Sequence, residues 1–366
     1  MLNSLRRKID SSLASFLTQI EKTYKIHLVN PILYESIREF SLREGKRIRP
    51  LLFILSYKGY LPSPRKVTPS LYNASTCIEF LHNFMLIHDD IIDCSDMRRG
   101  KPTMHRLLRK TIATPNPDKL GTDLAIIAGD IVYAMAIDAF LSMKEDPYRK
   151  ERALRYFVQT AAFTAMGEFI DTLHGVDTLA NVKEKDVFLN YSLKTARYTF
   201  DCPLVTGAIL AGAPQREINA LAQFGILIGQ AFQIQDDIIG IFETEQRIGK
   251  SILSDLEEQK KTLLVIHAYR ILKGKKAAAF LKIFLKRKKN HADLEAVKKI
   301  LVDAGSLAYA LDAVRSHAVQ ANAILKRLRI SPKYRDLIGT LLFDLFQQSQ
   351  AVADTWDVPV NVTSIY

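Results

Sequence analysis

Residues 86–105 read LIHDDIIDCSDMRRGKPTMH: an apolar run breaks into four carboxylates, Asp89, Asp90, Asp93 and Asp96, within eight positions, then into two arginines and a glycine. Carboxylates this close repel one another, by about 1 kcal/mol per pair at 4 Å in water and about 4 kcal/mol at an effective dielectric of 20. A chain that gathers them where its pattern is most buried needs positive charge among them. Asp89 and Asp93, four apart, share one face of a helix. A second cluster, FQIQDDIIG (232–240), ends another apolar stretch in the same way, with Gln233 and Asp236 three apart. One such pair alone reads as a charged helix end. Two of them, followed by Arg98, Arg99 and Lys101 and by Lys250, Lys260 and Lys261, predict acids that hold metal and bases that close over an anion. Two acid-tipped helices facing each other across a cavity would gather oxygen ligands suited to Mg2+, with waters and substrate phosphates completing its coordination.

The rest of the chain supplies a frame for these clusters. Its 366 residues are 48% apolar, with mean hydropathy near zero, so a large buried core is available. Helical periodicity runs nearly from end to end, interrupted at 61–70, 114–121, 145–148, 211–215 and 329–334, with no convincing strand alternation. Thr68 and Pro69 suit the cap and first residue of a helix that runs toward Asp93 and stops by Gly100-Lys101-Pro102. A second helix spans about 219–242. The pattern predicts an all-α, single-domain helical bundle of roughly a dozen helices over 1–366, some apolar on most sides and therefore central. Within it, 1–28 reads as an N-terminal amphipathic helix (Leu2, Leu5, Ile9, Leu13, Phe16, Ile20, Tyr24) packed on the body, and 351–366 as a tail of unassigned role.

Several function classes fall away. Three scattered cysteines (Cys77, Cys94, Cys202) without a CxxC pair argue for reduced thiols and a cytoplasmic setting. The most apolar span, 124–141, carries Asp130 and Asp138 and reads as a core helix, not a transmembrane one. The net charge of +12 is concentrated in 273–290, where eight positive residues meet no acid. A solvated basic face explains that segment; peripheral contact with anionic lipid is the alternative. Nucleic acid is excluded as a partner, since the segment has only two aromatics and no accompanying binding motif.

The motifs resemble those of the trans-type short-chain polyprenyl diphosphate synthases. DDIIDCSDMRRGKPT is similar to the family's first aspartate-rich motif and FQIQDDIIG to its second. GKRIRP (45–50), SLKTARYTF (192–200) and GKSILSDLEEQKKTLL (249–264) resemble its other signatures, in family order, over roughly 30–350. The resemblance implies the isoprenoid synthase type I fold, an orthogonal bundle around a central cavity, usually as a homodimer. It implies a prenyltransferase that condenses isopentenyl diphosphate with dimethylallyl, geranyl or farnesyl diphosphate. Several Mg2+ ions, held by Asp89, Asp93 and Asp236 with Asp90 and Asp237 in the same clusters, would grip the allylic diphosphate, aided by Arg98, Lys194 and Lys250. Lys46, Arg49, His82 and Arg99 would bind isopentenyl diphosphate, and Thr195 and Gln233 would line the reacting centre. Tyr198, Phe200 and His88 read as structural.

By the same resemblance, Met85, Phe84 and Leu81 would form the floor that stops elongation; Phe84 lies about 7.5 Å along the helix axis from Asp89. One aromatic beside a flexible Met resembles geranylgeranyl-type enzymes, so geranylgeranyl diphosphate is the expected product and farnesyl or geranylfarnesyl diphosphate the alternatives. One departure stands out: the second motif usually carries a third acid, and Gly240 occupies that position. Two other readings compete, a class I terpene cyclase and a non-catalytic subunit of a heteromeric synthase. GKRIRP with His82 argues against the first, and retention of both acid clusters against the second.

Overall fold

Asparagine and proline set where several helices begin. Asn30 accepts hydrogen bonds from the Ile32 and Leu33 amides ahead of Pro31, and Asn116 accepts one from Lys119 ahead of Pro117. Each asparagine satisfies amides that have no partner inside the helix, and proline loses nothing at a position whose N–H would be unpaired anyway. The breaks expected at 114–121, 145–148 and 329–334 are therefore shorter than the sequence pattern suggested, because Pro117, Pro147 and Pro332 each open a helix.

The computed structural model describes residues 1–62, 70–243 and 254–363; the proposed Thr68–Pro69 helix start and Lys250 lie outside them. Among the described residues are eighteen α-helices, a π-helix at Tyr191–Asp201, a short 3-10 turn and one antiparallel hairpin. The helix number exceeds the expected dozen through short pieces such as Ile26–Val29, Met104–Leu108 and Ser254–Glu257. The hairpin corrects the expectation of no strand: Met97 pairs with Pro102 and Arg98 with Lys101. Arg99 (φ 55) and Gly100 (φ 71) turn the chain between those strands, which are only two residues long and too brief to show an alternating pattern.

The chain forms two compact units, each assembled from separate segments: 1–161, 202–218 and 329–337; and 162–201, 219–328 and 338–366. In the first, the Leu2–Tyr24 helix buries Leu5, Ile9, Leu13, Phe16 and Ile20, as its periodicity predicted, and leaves Tyr24 exposed. Phe16 meets Phe80 of the Ser70–Ile92 helix with ring centroids 5.6 Å apart. Pro117–Leu141 is long and apolar enough to cross a membrane, yet it packs on Ser70–Ile92 through a face of small residues including Ala125, Ala128, Ala136 and Ala139, all buried. Cys202–Ala211 is buried along its whole length against Ile48–Tyr60.

In the second unit the Gln215–Phe242 helix, from residue 219 onward, is tied to the C-terminal segment. Gln235 accepts from Ser349 at 2.9 Å, and Phe242 meets Trp356 edge to face at 5.3 Å. Val362 of the tail is completely buried. The basic stretch forms the Gly274–Phe284 helix and the loop after it. Phe280 and Phe284 point inward, while Lys273, Lys275, Lys276, Lys282, Lys286, Arg287 and Lys288 are exposed; Lys289 departs from the pattern and is buried.

Phe16→Ala should destabilise the protein by about 3–5 kcal/mol, since the Leu2–Tyr24 helix would lose its main aromatic contact and leave a cavity. Urea unfolding followed by circular dichroism measures it.

Candidate active site

In the first unit the Ser70–Ile92 helix presents Leu81, His82, Phe84, Met85, Asp89 and Asp90 along its C-terminal half. Asp93 follows in the next turn, its amide bonded to the Asp89 carbonyl at 2.8 Å. Arg98 turns back from the hairpin onto the acids, its Nε donating to Asp90 at 2.6 Å and its Nη2 to Asp89 at 3.2 Å. Asp90 is fully buried, and burial outweighs that guanidinium, with Asp89 and Asp93 adding repulsion: its carboxyl is pushed up to about 7. The buried Asp90 Oδ2 has no hydrogen-bond partner among the described residues. A crowd of hard oxygen donors whose negative charge one arginine only partly offsets has the chemistry of a divalent-cation site.

The hairpin is held from below by residues that sequence reasoning passed over. Arg43 is buried, pairs with Glu39 at 2.7 Å and donates to the carbonyls of Arg98 (3.3 Å) and Pro102 (2.7 Å); Lys101 reaches Glu39 at 2.9 Å. Arg99 is thereby delivered beside the GKRIRP loop, where its guanidinium lies against Gly45. A Cβ at Gly45 would sit 3.3 Å from that guanidinium, closer than ordinary side-chain contact.

Lys46, Arg47, Arg49, His82 and Arg99 line one cleft of about 350 Å³, within the range of small-ligand sites, roughly 300–1,000 Å³. The four residues expected to act together are together here. Arg47, missed as a separate case, faces inward: it bonds Asp10 at 2.8 Å, Glu79 at 2.5 Å and the Arg43 carbonyl at 2.8 Å. Lys46 precedes the Ile48–Tyr60 helix, Arg47 caps it in a left-handed conformation (φ 50), and Arg49 lies in its first turn. His82 is held neutral: burial, then Arg49, Arg99, Arg98 and Arg47, push its pKa well below 6.5. Burial alone lowers an imidazole, and the arginines around His82 lower it further; a cleft with that much positive charge attracts an anion.

Phe84 is half-buried, 4.9 Å from the Tyr133 ring and 4.7 Å from His88. Tyr133 was not anticipated, since only packing on the Pro117–Leu141 helix brings it there. Leu81 is completely buried and Met85 partly so.

In the second unit the π-helix carries Lys194 and Thr195. It runs so close to the Pro147–Val176 helix that a Cβ at Gly167 would meet the Lys194 nitrogen at 2.4 Å. Lys194 reaches Asp171 at 2.7 Å and Glu168 at 3.0 Å, two acids the sequence reading did not single out although their three-residue spacing put them on one face. The Thr195 hydroxyl donates to Gln233 at 2.5 Å, and the Gln233 amino group to Asp237 at 3.0 Å. Asp236 is exposed and Asp237 buried, so neighbouring acids face different surroundings. Gly240 is buried and brings no third acid to this cluster. Lys261 donates to the Gly175 carbonyl at 2.9 Å, and Lys260 pairs with Glu258 at 2.9 Å. Phe200 is core, packed edge to face on Phe232 at 5.3 Å, and Tyr198 is half-buried.

A largely helical fold with acid clusters at helix ends and a cationic cleft is matched by one family. The polyprenyl synthetase family model matches residues 30–301, and the chain belongs to that family. The geranylgeranyl diphosphate synthase of Methanosarcina mazei is 32% identical over 301 residues, 82% of this chain and 85% of that one. The geranylfarnesyl diphosphate synthase of Aeropyrum pernix is 32% identical over 304 residues, 81% of this chain and 88% of its own length. The crystal structure of a geranylgeranyl pyrophosphate synthase from Corynebacterium glutamicum, complexed with isoprenyl diphosphate and magnesium, superposes with a TM-score of 0.86 at 26% identity. That match covers 96% of this chain and 99% of that one. The protein has the isoprenoid synthase fold and is a prenyltransferase.

Because native His82 stays neutral, it takes up no proton where the unfolded chain does, as pH falls through 6.5. Stability should therefore fall below pH 6.5, and His82→Gln should flatten that fall. Urea unfolding at intervals between pH 6.5 and 5 compares the slopes.

Proposed function

We propose that the protein condenses isopentenyl diphosphate with allylic diphosphates and makes geranylgeranyl diphosphate as its main product, with farnesyl and geranylfarnesyl diphosphate as the neighbouring lengths. The observation that carries this reading is the cleft in which Lys46, Arg49 and Arg99 surround a neutral His82. It offers an isopentenyl diphosphate subsite that a terpene cyclase does not need.

Asp89, Asp93 and Asp236 would hold Mg2+, whose charge, when bound, makes diphosphate a better leaving group. Arg98, Lys194 and Lys250 would contact the allylic diphosphate, with Asp90 and Asp237 completing the acid clusters. The allylic C–O bond breaks, leaving diphosphate and an allylic cation. The double bond of isopentenyl diphosphate attacks that carbon, and a proton passes to the departing diphosphate. Thr195 and Gln233 direct oxygen dipoles at the developing positive charge, while surrounding apolar residues exclude water. Lys46, Arg49, His82 and Arg99 hold the second diphosphate, His82 as a neutral hydrogen-bonding group.

We assign the whole of 1–366 to one polyprenyl synthase domain, since the family match runs through segments of both compact units. A homodimer is supported by the exposed apolar stripe Met166, Phe169, Leu173 and Val176 on the Pro147–Val176 helix. Cys77, Cys94 and Cys202, none of them in a disulfide, support a cytoplasmic enzyme. The exposed lysines of 273–288 would give peripheral contact with anionic lipid, each cation near such a surface adding about 1 kcal/mol.

Lys46→Ala or Arg49→Ala should raise the KM for isopentenyl diphosphate about tenfold and leave that of the allylic partner nearly unchanged, whereas Asp89→Ala should lower kcat about 100-fold or more. Equal effects of Lys46→Ala on both substrates would refute the division of subsites. Phe84→Ala, and Tyr133→Ala beside it, should lengthen the product; chromatography of extracted prenyl alcohols reads the chain length, and an unchanged profile removes both rings from the floor.

A further inference from the structure

Tyr191 opens the π-helix and is buried, with its ring edge-on to Phe188 at 6.1 Å. Its hydroxyl accepts the Leu263 amide hydrogen at 3.0 Å and donates to Asp237 Oδ2. The direction is forced: an amide can only donate, so the phenol proton goes to the carboxylate. The other oxygen, Oδ1, accepts from Gln233 Nε2 at 3.0 Å. A carboxylate can only accept, so the amino end of the Gln233 amide faces Asp237. Its oxygen is left to face the Thr195 hydroxyl, which donates to it at 2.5 Å. From Leu263 to Thr195 the bonds form one chain with a fixed polarity. Tyr191, Thr195, Gln233 and Asp237 all line the same small pocket, with Lys194 beside them.

We propose that Tyr191 is a positioning residue for prenyl transfer: by pinning Asp237 it fixes the Gln233 amide with its oxygen, not its amino group, turned toward Thr195 and the reacting centre. The role rests on the proposed function, in which positive charge develops beside Thr195 and Gln233. An amide oxygen stabilises that charge, and an amino group aimed at it does the opposite. Without the phenol hydroxyl one Asp237 oxygen loses that bond, and the Gln233 amide held by the other oxygen loses its fixed place.

Tyr191→Phe tests it, since the ring and its packing remain. Steady-state kinetics with Mg2+, isopentenyl diphosphate and farnesyl diphosphate should show kcat reduced about tenfold, while the KM for isopentenyl diphosphate and the half-saturating Mg2+ concentration stay within twofold of the unmodified enzyme. An unchanged kcat overturns the proposal. So does a shift in Mg2+ requirement as large as the loss in kcat, which would make Tyr191 act through metal binding. If the variant melts below the assay temperature, Asp237→Asn serves instead: its carboxamide still accepts from Tyr191 but offers an amino group to Gln233. A loss of kcat at unchanged KM and unchanged half-saturating Mg2+ concentration then supports the role; an unchanged kcat, or a shift in Mg2+ requirement as large as the loss, overturns it. An unmodified protein that fails to condense the two substrates refutes the proposed function itself, an outcome separate from any difference between variant and parent.

Discussion

The Arg98 guanidinium, set between Asp89 and Asp90, is the contact on which the acid end of the Ser70–Ile92 helix depends. Carboxylates on adjacent turns of a mostly apolar helix repel at close range, by about 4 kcal/mol per pair at an effective dielectric of 20. One cation shared by two of them makes the cluster tolerable without neutralising it. At Asp90 burial first, then repulsion from Asp89 and Asp93, outweighs the guanidinium and pushes the carboxyl up to about 7. The opposite problem arises a few residues earlier in the same helix, where cations crowd His82. There Glu79 and Asp10 take up the buried guanidinium of Arg47 and leave a positive cleft. The fold thus keeps an acid surplus and a basic surplus at separate points of one helix, each restrained by a partner that satisfies only part of it.

Much of this was legible in the sequence, and the reasons are local. Acids that interrupt an apolar run, as in DDIID and FQIQDD, are costly to bury without a partner or ligand, so their functional character shows without any structure. The GKRIRP motif that carries Lys46 and Arg49 is equally local, as is the stripe of the Leu2–Tyr24 helix. Prolines misled only in detail: they were read as breaks, and they proved to be helix starts because the first turn needs no proline N–H. The residues that escaped notice become partners through tertiary contact. Glu168 and Asp171 meet Lys194 across two helices, Tyr133 meets Phe84 across another pair, and Tyr191 meets Asp237 over 46 positions of chain. The π-helix was hidden for a related reason, since its residues carry the same apolar spacing as an ordinary helix and its widening accompanies the close approach at Gly167.

The C-terminal segment contributes a second kind of constraint. Ser349 bonds Gln235 in the interior, the Val362 amide donates to Gln350, and Trp356 lies edge-on against Phe242, the last residue of the helix that carries Asp236 and Asp237. Trp356 is also the chain's single tryptophan. Indole emission from the unaltered protein therefore originates at one known point, against Phe242, which lies six residues beyond Asp236. Fluorescence excited at the red edge of the absorption band, where tyrosine is silent, reports on the terminus of that helix alone, with no engineered probe and no background from elsewhere in the chain.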